Sequence, residues 1–102
     1  MRSIYKYTLV LHDTQVIKLP RNSKIIHVGT QWNQLENQTT ICLWVEVHAD
    51  YLDDLVNRRF DIHGTGHIIL RDDSVHIGTV QMPTDSQGIE YVWHIYEVPY
   101  DI

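Results

Sequence analysis

Apolar and polar side chains alternate with a period of two through most of this chain, and turn-forming residues interrupt the alternation at short intervals. That period belongs to a strand with one buried and one exposed face, so the pattern predicts a mostly β domain. Residues 3–11 place Tyr5, Tyr7, Leu9 and Leu11 on one face and Lys6 and Thr8 on the other, and His12-Asp13-Thr14-Gln15 follows as a turn. Val16 to Leu19 makes a short second strand that Pro20 stops, because proline has no N–H to give a ladder. Lys24 to Trp32 and Thr39 to His48 form a hairpin around the polar Asn33–Gln38 turn. The later of these strands carries Ile41, Leu43, Val45 and Val47 on one face and Cys42, Trp44, Glu46 and His48 on the other.

Between Ala49 and Asn57 the repeat changes. Tyr51, Leu52, Leu55 and Val56 recur at helical spacing behind a capping Asp50, which predicts one short helix, or a loop insertion, near 50–57. Arg58 to Thr65 alternates again with Phe60 and Ile62 inward, and Gly64 and Gly66 then permit a bend. Val75 to Met82 and Glu90 to Val98 complete the set around the turn-rich Pro83-Thr84-Asp85-Ser86-Gln87-Gly88. Seven strands in 102 residues predict a single antiparallel β domain over 1–102, either a sandwich or a partly open barrel.

Composition narrows the functional classes. Hydrophobic residues make up 43% and charged residues 21%, enough apolar surface to fold rather than stay disordered. No apolar run approaches the roughly 20 residues that span a bilayer, and Met1 to Tyr7 lacks the apolar stretch of a secretory signal. The single Cys42 makes no internal disulfide, so a reducing cytoplasm is the expected setting. A net charge of -5, with eight Lys and Arg scattered along the chain, argues against general nucleic-acid binding; the acidic balance reads first as a solubility device, with a basic partner as the alternative. Cys42, inside an apolar strand, reads as a small packed residue rather than a nucleophile, and Asp53-Asp54 and Asp72-Asp73 read as solvated turns.

Seven histidines bring in candidate chemistry. If the last three strands form a meander, His63, His67, His76 and His94 gather at one end of the sheet. Three imidazoles with an open position would suit zinc, with Asp61 or Glu97 adding oxygen or orienting a ring, although the spacing matches no recognised metal motif. His63-Gly64-Thr65 also has the His-x-Thr form of phosphoesterases that act through two such histidines. The related His27-Val28-Gly29-Thr30 and His76-Ile77-Gly78-Thr79 carry one extra residue, which turns their threonines to the opposite face. The plainer reading makes all these histidines half-buried, hydrogen-bonded strand residues, and no catalytic residue, metal or cofactor is assigned. The binding candidates are Arg59, His63, Gly64, Thr65, Gly66, His67, Trp93, His94 and Tyr96: glycine-segment amides for phosphate, a histidine for charge and an aromatic for base stacking. They would serve a small nucleotide ligand. Trp32, Trp44, Trp93, Tyr91, Tyr96 and Tyr100 are many aromatics for one small domain; they read first as core or a second layer, and any that face outward would anchor a protein partner.

Several segments together resemble a small family of tailed-phage proteins known chiefly as a domain of unknown function. They are Ile4-Tyr5-Lys6-Tyr7, Asp13-x-Gln15-x-Ile17-x-Leu19-Pro20, Cys42-Leu43-Trp44, Arg59-Phe60-Asp61-Ile62, Gly64-Thr65-Gly66-His67, Ile77-Gly78-Thr79-x-Gln81 and Val92-Trp93-His94-x-Tyr96-Glu97. The chain departs from the family by a longer Asn33–Thr39 turn and by the insertion-like Ala49–Asn57. The resemblance implies a phage origin and expression in a host bacterial cytoplasm, where such small proteins bind and disable host or bacterial-defence proteins. It brings no reaction and no catalytic residues. The expectation is therefore a non-catalytic inhibitor of a host protein, with a nucleotide-sequestering protein and a histidine-based metal or phosphodiesterase site as alternatives. An unpaired edge strand would also invite a homodimer.

Overall fold

In a computed structural model, which describes residues 1–84 and 86–99, the alternation resolves into seven strands in two antiparallel sheets. In chain order these are β1 (Arg2–Leu9), β2 (Thr14–Pro20), β3 (Lys24–Asn33), β4 (Gln38–His48), β5 (Leu55–Gly64), β6 (Val75–Gln81) and β7 (Val92–Val98). One sheet has the order β1-β4-β3 and the other β2-β5-β7-β6, so the domain is an open sandwich rather than a barrel. Asp85, in the expected turn before β7, and Tyr100 lie outside the described residues.

The core forms where the two inner faces meet. Leu9, Val28, Ile41, Leu43, Val45 and Val47 come from the first sheet, and Leu19, Phe60, Ile62, Val80 and Ile95 from the second. Each occupies every other position of its strand, as the pleat requires. Leu11, expected on the same face as Leu9, lies past the end of β1 and is exposed.

Three expectations are corrected. The helical spacing of residues 49–57 yields only a three-residue 3-10 turn, Ala49–Tyr51. Leu55 and Val56 instead open β5, where they pair with Pro20 and Leu19 of β2, because pairing satisfies their backbone groups along a strand already present. The last three strands are not a meander either. β7 lies between β5 and β6, pairing antiparallel with both, so those two run in the same direction and residues 65–74 cross from one to the other. The third correction concerns β6. Its register shifts between His76 and Gly78, and His76 stands opposite Tyr96 while Thr79 stands opposite His94. Tyr96 and His94 are two residues apart on one strand, so His76 and Thr79 share a face. A β-bulge absorbs the extra residue that alternation alone would have used to turn Thr79 away.

The sandwich is closed along one side by its edge strands β3 and β6. Gly78 makes this approach, since a Cβ built there would lie 2.6 Å from Cβ of Val28. At the lower end Arg58 donates to both carboxylate oxygens of Glu97, at 2.5 and 2.7 Å, and to the Ser23 carbonyl at 2.8 Å. This half-buried pair ties β5, β7 and the β2–β3 turn together.

Candidate functional site

Strand direction sorts the connections between two ends. The β1–β2 turn, the β3–β4 turn, the start of the β5–β6 crossing and the β6–β7 connection all lie at the upper end, beyond the Arg58–Glu97 pair. Two candidate sites are built there, one polar and one apolar.

The polar site lies on the outer face of the second sheet. His94 is at its centre and is half-buried. The Thr65 hydroxyl lies 2.9 Å from its Nε2, the Thr79 hydroxyl 2.9 Å from its Nδ1, and Nε2 of His76 lies 2.8 Å from the same Thr79 oxygen. His76–Thr79–His94–Thr65 is thus one chain of hydrogen bonds. With neutral rings its protons can all point one way or all the other, because each hydroxyl or imidazole donates on one side and accepts on the other. His63 stands opposite His94, and the Tyr96 ring is edge-on to both His63 and His76, with centroids 5.5 and 5.3 Å away.

The local sequence explains this placement. Gly64-Thr65-Gly66-His67 is a turn closed by the His67 N–H donating to the Gly64 carbonyl at 3.1 Å. Gly66 sits at its third position with φ +90, which only glycine adopts without strain. His67 folds back so that its Nδ1 accepts the Gly64 N–H at 3.0 Å, and a Cβ on Gly64 would stand 2.9 Å from that ring. Both glycines therefore serve the turn that carries Thr65 to His94. Two of the segment's amides are committed within it, which weakens its fit to a phosphate.

Of the other binding candidates, Arg59 makes a two-pronged ion pair with the buried Asp61, at 3.0 and 3.2 Å. Trp93 points to the inner face, away from His94 and Tyr96, and stacks on Tyr91 with ring planes 7° apart. Trp93 thus stands apart from the group formed by His63, Thr65, His76, Thr79, His94 and Tyr96, whereas His67 shares a cleft with His63 at its edge. Thr79 is the member that strand alternation missed, and the glycine inside its strand was the available signal for the bulge. Among the described residues no three His, Cys, Asp or Glu side chains converge to hold a metal, and both nitrogens of His94 already face threonines.

The apolar site is a groove of about 600 Å³ at the upper mouth of the sandwich, lined by Leu11, Gln38, Thr39, Met82, Pro83, Tyr91 and Trp93 among others. The turns at this end also carry exposed apolar side chains: Val10 and Leu11 before β2, Leu35 between β3 and β4, and Ile89 before β7. These turns are pinned. The Gln15 amide both donates to and accepts from the Val10 backbone, at 2.8 and 3.0 Å. Asn33 Oδ1 accepts the N–H groups of Leu35 and Glu36, and the Met82 N–H donates to the Tyr91 carbonyl at 2.8 Å. Leu35, 98% exposed, is therefore displayed on a hydrogen-bonded turn rather than on a slack loop.

On the outer face of the first sheet, Cys42 is buried at 1% exposure although it faces away from the core. Its sulfur lies 3.6 and 3.9 Å from the hydroxyls of Thr40 and Thr8, and Lys6 reaches across β4 to Gln31 beside it. Trp44 packs on His27, ring centroids 5.3 Å apart.

No curated protein and no solved structure matches this chain. A family model described as a domain of unknown function, DUF7352, matches residues 1–101, and the chain belongs to that family.

Proposed function

We propose that this member of the DUF7352 family is a non-catalytic binding protein of phage origin that engages and inhibits a host or bacterial-defence protein through its upper end. The observation that carries this reading is the apolar groove lined by exposed Leu11 and Tyr91, with exposed Leu35 on the adjoining β3–β4 turn. A surface of this kind is unfavourable in water and becomes favourable when a partner covers it. Stacked Tyr91 and Trp93 supply the broad, rigid contact on which protein interfaces rely. The phage origin and the host cytoplasm as its place of action rest on the resemblance of the Gly64–His67 and Trp93–Glu97 segments.

Affinity capture from bacterial lysate, run in parallel with the wild-type chain and with the Leu11→Asp and Leu35→Asp variants, tests the proposal. One host protein held at fixed stoichiometry by the wild type and released by both variants supports it. Capture unchanged by both variants, or no capture at all, overturns it. Both leucines are exposed, so the variants keep the fold.

One observation favours a second reading. His63–Thr65 and His76–Thr79 stand on either side of His94 with both threonines bonded to it, an arrangement suited to moving a proton at an oxyanion. A histidine-centred phosphodiesterase would cleave a chromogenic phosphodiester and lose that activity in His94→Gln. Absence of turnover by the wild type removes this reading.

A further inference from the structure

We infer that the upper groove takes a cationic, apolar segment of a protein partner, in which aliphatic or aromatic anchors enter the groove and flanking Lys or Arg side chains meet its acidic rim. The inference rests on the binding reading above and deepens it by naming the partner's chemistry.

The chain has eight Lys and Arg. None lies in the connections 10–13, 34–37 and 82–91 that surround the groove. Those connections instead contribute the carboxylates of Glu36 and Glu90, while Asp13 lies in the neighbouring cleft with His63 and His67. Glu36 lines the cleft that continues the groove beside Leu11 and Met82. Glu90 is anchored at the loop base by the Gln81 amide at 2.9 Å. The cations lie elsewhere: Arg2, Arg21 and Arg58 are paired with Glu46, Asp54 and Glu97 on the lower half, and Arg59 with Asp61.

An apolar mouth whose connecting turns carry carboxylates and no Lys or Arg attracts a cationic amphipathic segment and repels an acidic one. The same rim disfavours a second copy of this chain, since two such ends face to face would oppose like charges around one contact. The pinned turns reduce the ordering cost of binding, so the rim charges stand ready before a partner arrives.

The test uses three synthetic twelve-residue peptides, leucine alternating with lysine, with glutamine or with glutamate, titrated into the full chain by calorimetry. The expected result is one-to-one binding of the lysine peptide, roughly tenfold tighter than the glutamine peptide, with the difference shrinking as salt rises. Glu36→Gln and Glu90→Gln combined should remove that preference, while Asp53→Asn at the far end should not. Equal binding of the lysine and glutamine peptides overturns the cationic assignment yet leaves the groove as a binding site. Binding of no peptide, or a preference that survives the combined variant, overturns the assignment too. Failure of the underlying reading shows itself separately, as lysate capture indifferent to Leu11→Asp and Leu35→Asp. A dimer in sedimentation that Leu35→Asp dissociates would make the occupant a second copy and overturn the inference.

Discussion

Gly78 and Cys42 owe their positions to what surrounds them rather than to their place in the alternation. A methyl group at Gly78 would meet Val28 at 2.6 Å, backbone-near atom against backbone-near atom, so one sheet edge must move. Gly78→Ala is expected to cost about 1–3 kcal/mol, the usual range for overpacking, and Val28→Ala in the same chain should return part of it. Chemical denaturation of the single and double variants checks this; a neutral Gly78→Ala would show that the edges are free to separate. Cys42 was legible as a packed residue on the face opposite the aliphatic row, and its burial there agrees, but what covers it was not legible. It is sealed by the outer layer of Thr8, Thr40 and Lys6–Gln31. Its thiol should therefore react with a disulfide reagent only as fast as the protein opens. Prompt labelling of the native chain would mean that the outer cover is absent in solution.

At the scale of elements, ladders between hairpin neighbours were readable and non-local ones were not. The β3–β4 hairpin follows from two alternating runs and a polar turn, whereas β7 between β5 and β6 requires knowing which distant strands pair. The stretch 49–57 misleads for a related reason: Leu55 and Val56 carry helical spacing, yet β2 offers them a ladder. The histidine group was half legible, because the residue types were present in the sequence while the bulge that turns Thr79 toward His94 was hidden in the pairing.

Two ion pairs hold elements together and can be tested. Arg58 reaches Glu97 with two nitrogens and the β2–β3 turn with a third, so Arg58→Lys is expected to lose about 1–2 kcal/mol in thermal unfolding. A smaller loss would make this a pair of interchangeable charges. Arg21 clips the β2–β3 turn to the β4–β5 connection, and its hydrogen bond holds the Asp54 carboxyl below the ordinary carboxylate range. That contribution is fully present above the ordinary value and disappears as pH falls through the lowered one. Asp54→Asn should therefore lower the neutral plateau of a melting-temperature profile and flatten its acid limb, so that variant and wild type converge at low pH. Identical acid limbs would place the acid sensitivity in other carboxylates.

For the molecule as a whole, the two mouths of the sandwich contrast. The lower one is plugged by Arg58–Glu97 and rimmed with paired charges, and the upper one is aromatic, open and acidic. Composition announced a net charge of -5 but not its separation along the long axis, which arises only when antiparallel strands sort the connections between ends. The same strand order constrains how the molecule comes into being. β7 is the last of the seven strands, and it fills the centre of its sheet rather than an edge. While residues 92–98 are still inside the ribosome, β6 has no neighbour in its own sheet and β5 shows an open edge to every nascent chain nearby. The fold is therefore expected to close late and all at once, with the slow kinetics of a β topology rich in distant pairings.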